Sequence, residues 1–259
     1  MTDWRLVREE VRDGATNMAL DEVAARTVAD GGPATVRVYG WEPPTFSLGY
    51  AQDAATVDWD YCERAGVDVV RRPTGGGGIY HDTVGDVSYA VIAPADAVPG
   101  DRLEGYHALC EPLFDALDAL GIDADFAQTE REAAHEPACY LRGLSPAHDV
   151  VAGGRKLSGN AQYRREDAVV QHGSLQYRVD AERHRAVFAD APAAFDRVTS
   201  VREQSDAVRA ETVTALEDAL ADWADAGAGA WTDAELADAR ALADAKYRSA
   251  AWTRERTAR

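Results

Sequence analysis

The 259-residue chain carries 45 acidic against 27 basic side chains, a formal net charge of −18 at pH 7 with histidine neutral. That surplus argues against nucleic acid and anionic membrane surfaces as general partners, and no apolar run is long enough for a membrane span. Cys62, Cys110 and Cys139 are odd in number and lack CxxC spacing, which points to reduced thiols in a cytoplasmic chain and away from a disulfide framework or a zinc site.

The N-terminal stretch is charged and lacks the apolar core of a signal peptide. Abundant Asp and Ala, with Arg replacing Lys, point to adaptation to concentrated salt, which screens self-repulsion. Trp4 to Val11 predicts a first strand. Thr16 or Asn17 is placed to cap a helix running to about Asp30, with Met18, Ala19, Val23 and Val28 at roughly helical spacing. Strands follow at 35–39 and 45–50 around the Pro43-Pro44 turn, then a short helix from Val57 to Ala65 ended by Gly66.

Val67-Asp-Val-Val-Arg-Arg predicts another strand, and the apolar run from Val87 to Ile92 a further one. Leu109, Leu113, Phe114 and Leu117 give helical periodicity over 103–120, with Gly121 as terminator. Residues 127–144 show no clear period and read as irregular. Segments 149–151 and 156–162 predict paired strands about a Gly153-Gly154 turn, and 168–177 adds another. From Ser200 the pattern turns helical, over 210–223 and again over 232–254, where Thr232 and Glu235 form a capping box. Together these elements predict an α+β fold with a mixed sheet. A catalytic domain would span 1–199, with a helical C-terminal appendage at 200–259.

Two stretches stand out chemically. Arg71 to Asp82 reads RRPTGGGGIYHD. Four consecutive glycines cost backbone entropy and bury no side chain, so the backbone there must approach something closely or take positive φ. Successive N–H groups of such a loop can cradle an anion, and Arg71 and Arg72 add guanidinium groups suited to phosphate. The spacing is neither a P-loop nor a Rossmann turn. The second stretch, Gly153 to Arg165, reads GGRKLSGNAQYRR, with His172-Gly-Ser-Leu downstream. Lys156 and Lys246 are the only lysines, against 25 arginines. A lysine kept between glycine-bearing turns in such a chain points to a need for a compact, mobile ammonium. His81 and His172 fit either a site or a purely structural hydrogen-bonding role. No metal-ligand spacing is visible.

RRPTGGGGIYHD, GRKLSGNAQYRR and QHGSL together resemble the lipoate–protein ligase and octanoyltransferase family, whose fold is shared with biotin ligases. Asn17-Met-Ala-Leu-Asp-Glu, Arg37-Val-Tyr-Gly-Trp, Ser47-Leu-Gly-Tyr and the tail Lys246-Tyr-Arg-Ser-Ala-Ala-Trp match in order, so the likeness covers nearly the whole chain. The resemblance implies the biotin/lipoate ligase catalytic fold, with largely antiparallel sheets flanked by helices. It also implies an acyl group delivered to a lysine of a lipoyl domain of a 2-oxoacid dehydrogenase or of the glycine cleavage H protein, and it leaves room for a separate accessory protein.

Two chemistries follow from the resemblance. In a ligase, ATP with Mg2+ would activate lipoate or octanoate as an acyl-adenylate. Arg71, Arg72, Gly75, Gly76, Gly77, Gly78, Ile79, Tyr80 and His81 would hold nucleotide and phosphate, and Lys156 would sit at the mixed anhydride. Ser158, Gly159, Asn160, Ala161, His172 and Gly173 would line the acyl site. In an octanoyltransferase, a carrier-bound octanoyl group would pass to a Cys139 thioester beside Lys156. The spacing of Cys139 to the GRK motif is slightly longer than in that branch, and His81-Asp82-Thr-Val-Gly85-Asp86 is one residue longer than the usual ligase loop. Weighing the glycine run and Tyr80 against the chain's overall frame, tail and Cys139, the expectation is the ligase, with the transferase as alternative. A member that binds ligand or partner without catalysis is the third reading.

Overall fold

A computed structural model of the chain describes residues 2–143, 149–191 and 195–257. The first half runs β1 (Trp4–Arg12), α1 (Gly14–Ala29), β2 (Ala34–Trp41), β3 (Thr45–Leu48), α2 (Trp59–Ala65), β4 (Asp68–Arg71), β5 (Ile79–His81) and β6 (Asp86–Pro94). The second runs α3 (Arg102–Ala119), β7 (Ala124–Phe126), β8 (Asp149–Ala152), β9 (Arg155–Arg164), β10 (Ala168–Gln176), α4 (Ala181–Ala186), α5 (Val201–Gln204), α6 (Arg209–Ala224), β11 (Gly227–Ala228), α7 (Asp233–Leu242) and α8 (Ala250–Glu255). One sheet has the order β11-β1-β2-β6-β10-β9-β8-β7, and a smaller one β4-β3-β5. Pairing is antiparallel except between β1 and its two neighbours and between β3 and β4. This is the mixed, largely antiparallel α+β architecture that the sequence predicts.

The period-two rule explains the layering. Along β6, Val87, Tyr89, Val91 and Ala93 enter a core shared with Leu109, Leu113, Leu216 and Leu220 of α3 and α6. Ala90 and Ile92 point the other way, into a core with Leu20 and Val23 of α1 and Tyr247. The central strands β2, β6 and β10 are therefore covered on both faces. Each fully buried Leu or Val of this kind contributes about 2 kcal/mol of transfer free energy. A third core, built from Phe46, Leu48, Tyr80, Tyr140 and Phe188, underlies the small sheet.

Several boundaries differ from expectation. Helix α1 starts earlier, because Asp13 accepts a hydrogen bond from the Thr16 N–H at 3.0 Å and so acts as N-cap. Asp58 does the same for α2 through Tyr61, and the αL conformation of Gly66 ends it. The run 232–254 is not one helix. It widens into a π-helical turn over Ala243–Tyr247, ends at Arg248 and restarts where Ser249 Oγ accepts from Trp252 N–H at 3.1 Å. In the segment expected to be irregular, Gly78 pairs with Ala138 as an isolated bridge and Cys139–Leu141 forms a 3-10 turn; its last residue, Leu144, lies outside the described residues.

The residues after 200, expected as an appendage, are continuous with the rest. Helix α6 shares the core of α3, β11 extends the large sheet beside β1, and α7 lies on α1. Helix α8 reaches β4, where Trp252 Nε1 donates to the Arg71 carbonyl at 2.8 Å. Among the described residues, no helix is long and apolar enough to cross a membrane.

Candidate active site

A cavity of about 630 Å³ opens between β5, β9, β10 and the start of α3. Met18, Tyr39, Trp41, Ile79, Leu103 and Tyr106 give it an apolar wall, and Arg72, His81, Cys139, Asn160 and His172 bring polar groups to it. Such a volume is typical for a small-molecule site. Gly75, Gly76, Gly159, Ala161 and Gly173 also line it.

The expected phosphate cradle is arranged differently. Arg71 is fully buried and outside the cavity wall. Its Nη1 donates to the carbonyls of Gly49, Tyr50 and Gln52 at 2.7–2.9 Å, and its Nε donates to that of Thr253 at 3.0 Å. Arg72 borders the cavity, but its Nη2 donates to the Gly75 and Gly77 carbonyls at 2.8 and 2.6 Å, and its Nη1 to Ser47 O at 3.0 Å. Strand alternation turns Tyr80 away from Ile79 and His81, into the third core, where its hydroxyl accepts from Arg183 at 3.2 Å. Arg71 and Tyr80 are thus corrected as nucleotide contacts.

The glycine run serves a close approach of backbone. A Cβ at Gly77 would stand 2.7 Å from Pro137 O and 2.9 Å from Cys139 N. Gly78 N–H donates to Pro137 O at 2.5 Å, and Cys139 N–H donates to Gly78 O at 2.8 Å. Gly76, with φ of 94°, carries the turn. The loop therefore straps the Cys139 segment to the small sheet. The arginines expected to hold ATP phosphates donate instead to the protein's own carbonyls.

At the strapped segment, Cys139 meets Lys156. The Lys156 ammonium donates to Cys139 O at 3.0 Å and lies 3.9 Å from Cys139 Sγ, and it forms a close ion pair with Asp149. Burial alone would lower the lysine's pKa, but the charges of Cys139 and Asp149 outweigh it and hold that pKa above the ordinary value. A Cβ at Gly159 would touch both groups, 3.4 Å from Sγ and 3.6 Å from Nζ, so the glycine leaves open the space over the sulfur. Ser158 is buried beside this corner and does not line the cavity.

Two imidazoles are each held between a hydroxyl and a carboxylate. His81 stacks on Trp41 and lies 2.9 Å from Ser47 Oγ and 3.0 Å from Asp86 Oδ2. His172 lies 2.7 Å from Thr74 Oγ1 and 3.2 Å from Asp21 Oδ2, and Asp21 also pairs with Arg37. Burial pulls the His172 pKa below the ordinary value, against the pull of Asp21. Asn160 Oδ1 accepts from Tyr89 at 2.8 Å across Gly173, where any Cβ would collide with that amide, while Asn160 Nδ2 is buried with no hydrogen-bond partner. Sequence reasoning misses Asp21, Asp86, Asp149 and Trp41 as site residues. Asp21, Asp86 and Trp41 fall within stretches that carry the resemblance but without a role of their own, and Asp149 carries no local signature among so many acids. Among the described residues, no group of three metal-ligating side chains forms a candidate metal site.

Residues 13–224 match the family model of the lipoyl protein ligase A/B catalytic domain. The octanoyltransferase LipM of Kyrpidia tusciae is 38% identical over 209 residues, covering 76% of this chain and 73% of that protein. LipM of Symbiobacterium thermophilum is 32% identical, covering 97% of this chain and 98% of its own. A structure of lipoate-protein ligase A bound with ATP superposes with a TM-score of 0.84 at 26% identity, covering 98% of this chain and 99% of the other. The chain therefore belongs to the lipoyl protein ligase A/B catalytic family and is an enzyme of lipoyl or octanoyl transfer.

Proposed function

We propose that the chain transfers an octanoyl group from a carrier-bound thioester to the lysine of a lipoyl domain or glycine cleavage H protein, through a thioester on Cys139. The observation that carries this reading is the Cys139 sulfur on the cavity wall, 3.9 Å from a buried lysine ammonium. The expectation of an ATP-dependent ligase gives way to its alternative. The arginines meant for phosphate are committed to carbonyls, and the relatives from Kyrpidia tusciae and Symbiobacterium thermophilum are octanoyltransferases.

In this mechanism Cys139 acts as the thiolate, with Lys156 compensating its charge. Its sulfur attacks the octanoyl carbonyl carbon, the donor C–S bond breaks, and the donor sulfur leaves with the electron pair and gains a proton. The acyl chain occupies the apolar wall of Met18, Ile79 and Tyr106. The acceptor lysine's neutral amine then attacks the same carbonyl, an amide forms and Cys139 departs as a thiolate while the amine's extra proton passes to solvent. Lys156 stabilises sulfur charge in both halves, and Asn160 Nδ2 is a free donor for the carbonyl oxygen.

The test incubates the protein with an apo lipoyl domain and either octanoyl carrier protein or lipoate with ATP and Mg2+. The reading expects the acceptor to gain an octanoyl group from the carrier without nucleotide. Acceptor modification only in the presence of ATP would return the ligase.

A further inference from the structure

Asp149 opens β8 and pairs closely with Lys156. An ammonium carries three N–H donors. Among the described residues, the acceptors around Lys156 are the Asp149 carboxylate, the Cys139 carbonyl at 3.0 Å and the Cys139 sulfur at 3.9 Å. With one N–H on the carboxylate and one on the carbonyl, a third is left within reach of the sulfur.

The strand geometry supports this aim. Between β8 and β9 the register runs Val151 with Lys156, then Val150 with Ser158 and Asp149 with Gly159. One extra residue, Leu157, is inserted on β9 and is buried in the first core. Val150 and Ala152 enter the same core, so Asp149 and Val151 share the other face of β8, the face of Lys156. Arg72, Arg142, Tyr106 and Tyr140 lie within electrostatic reach of the sulfur or the amine. Two are cations and two are phenols, and burial also opposes a lysine charge. Once Cys139 is acylated its sulfur is neutral, and Asp149 is the anion left to pair with the ammonium.

We propose that Asp149 is a positioning residue for acyl transfer: its carboxylate keeps the Lys156 ammonium charged and aimed at the Cys139 sulfur through the acylated state. This rests on the thioester reading. The cation is then in place to receive the sulfur as it leaves.

The chain has two lysines, so side-chain 15N NMR yields one signal for Lys156 and one for Lys246. Lys246, 2.7 Å from Glu22 Oε2, is an internal control. The titration is run in a Cys139→Ser background, which removes the thiolate as acylation does. Asp149→Asn is expected to lower the Lys156 midpoint by on the order of one pH unit and leave Lys246 unmoved. In the Cys139 enzyme, Asp149→Asn is expected to reduce kcat for octanoyl transfer about 10- to 100-fold with little change in donor KM, and Asp149→Glu to recover part of it. An unmoved Lys156 midpoint overturns the proposal, as does a lowered midpoint with kcat within about twofold of the parent. If the unmodified protein takes no octanoyl group from the carrier, the transferase reading fails instead, and the NMR titration still reports separately whether Asp149 holds the ammonium.

Discussion

The glycine-rich segment 71–82 and the Cys139 corner border one cavity, yet they differ in what they leave free. In the first, both arginines and the Gly78 amide donate to the protein's own carbonyls: Arg71 to Gly49, Tyr50 and Gln52, Arg72 to Gly75 and Gly77, Gly78 to Pro137. In the second, a thiol faces the cavity with an ammonium beside it and an open space kept by Gly159. Residue types suited to phosphate do not make a phosphate site when the fold has already satisfied them. A single cysteine becomes a candidate nucleophile when the fold brings a buried cation to it.

Removing the ammonium gives the largest expected effect on this comparison. Lys156→Met should lower octanoyl transfer about 100- to 1000-fold, comparable to the loss of one oxyanion donor, measured as kcat with an octanoyl carrier donor. Activity near that of the parent would mean that the corner has no chemical part. Gly159→Val fills the space over sulfur and ammonium. It should cut acyl-enzyme formation at least about tenfold with the fold retained by circular dichroism, because a one-ångström misplacement of reacting groups already costs rate steeply.

Arg71→Ala probes the other region. It removes four hydrogen bonds to backbone carbonyls, among them the buried Thr253 carbonyl, and should cost about 3 kcal/mol of stability in denaturant melts, with the kcat of the folded fraction retained. A selective loss of kcat with unchanged stability would give Arg71 a role in the chemistry after all.

The last effect, which shows only as the pH falls, concerns His184, which packs on Tyr80 below the glycine segment and on Tyr140 beside Cys139. Both of its ring nitrogens are buried without partners, and burial pushes its pKa down to about 4. Because that is below the ordinary value of 6.5, the unfolded chain binds the proton first. The stability held by the neutral ring is complete above about pH 6.5 and is lost as pH falls towards 4, amounting to about 3 kcal/mol. His184→Phe should flatten that part of the stability profile in equilibrium melts between pH 7 and 4. An unchanged slope would show that this histidine does not titrate with unfolding.

Much of the fold is legible in the sequence because it rests on periodicity. The alternation of β6 and the helical spacing of α3 place both central cores, and Gly153-Gly154 marks the β8–β9 turn, where both glycines take positive φ. What the sequence hides are partnerships. Nothing local distinguishes Arg71 from Arg72, since which face of β4 and its loop each occupies is set by Gln52 and Thr253, far along the chain. The glycine run correctly signals a close approach, but the approaching group is the backbone at 137–139 instead of a phosphate. Asp149 is one of 45 acids until the pairing of β8 with β9 sets it beside Lys156. The single helix expected over 232–254 breaks because α8 must bring Trp252 to β4, a tertiary demand that local propensity does not record.

The central claim is most directly tested by intact-protein mass spectrometry after brief exposure to octanoyl carrier protein, without nucleotide or acceptor. The account predicts one octanoyl adduct on the parent chain, mapped to Cys139, labile to hydroxylamine and missing from Cys139→Ala. An adduct that persists in Cys139→Ala, or none on the parent chain while the acceptor is still octanoylated, would contradict it.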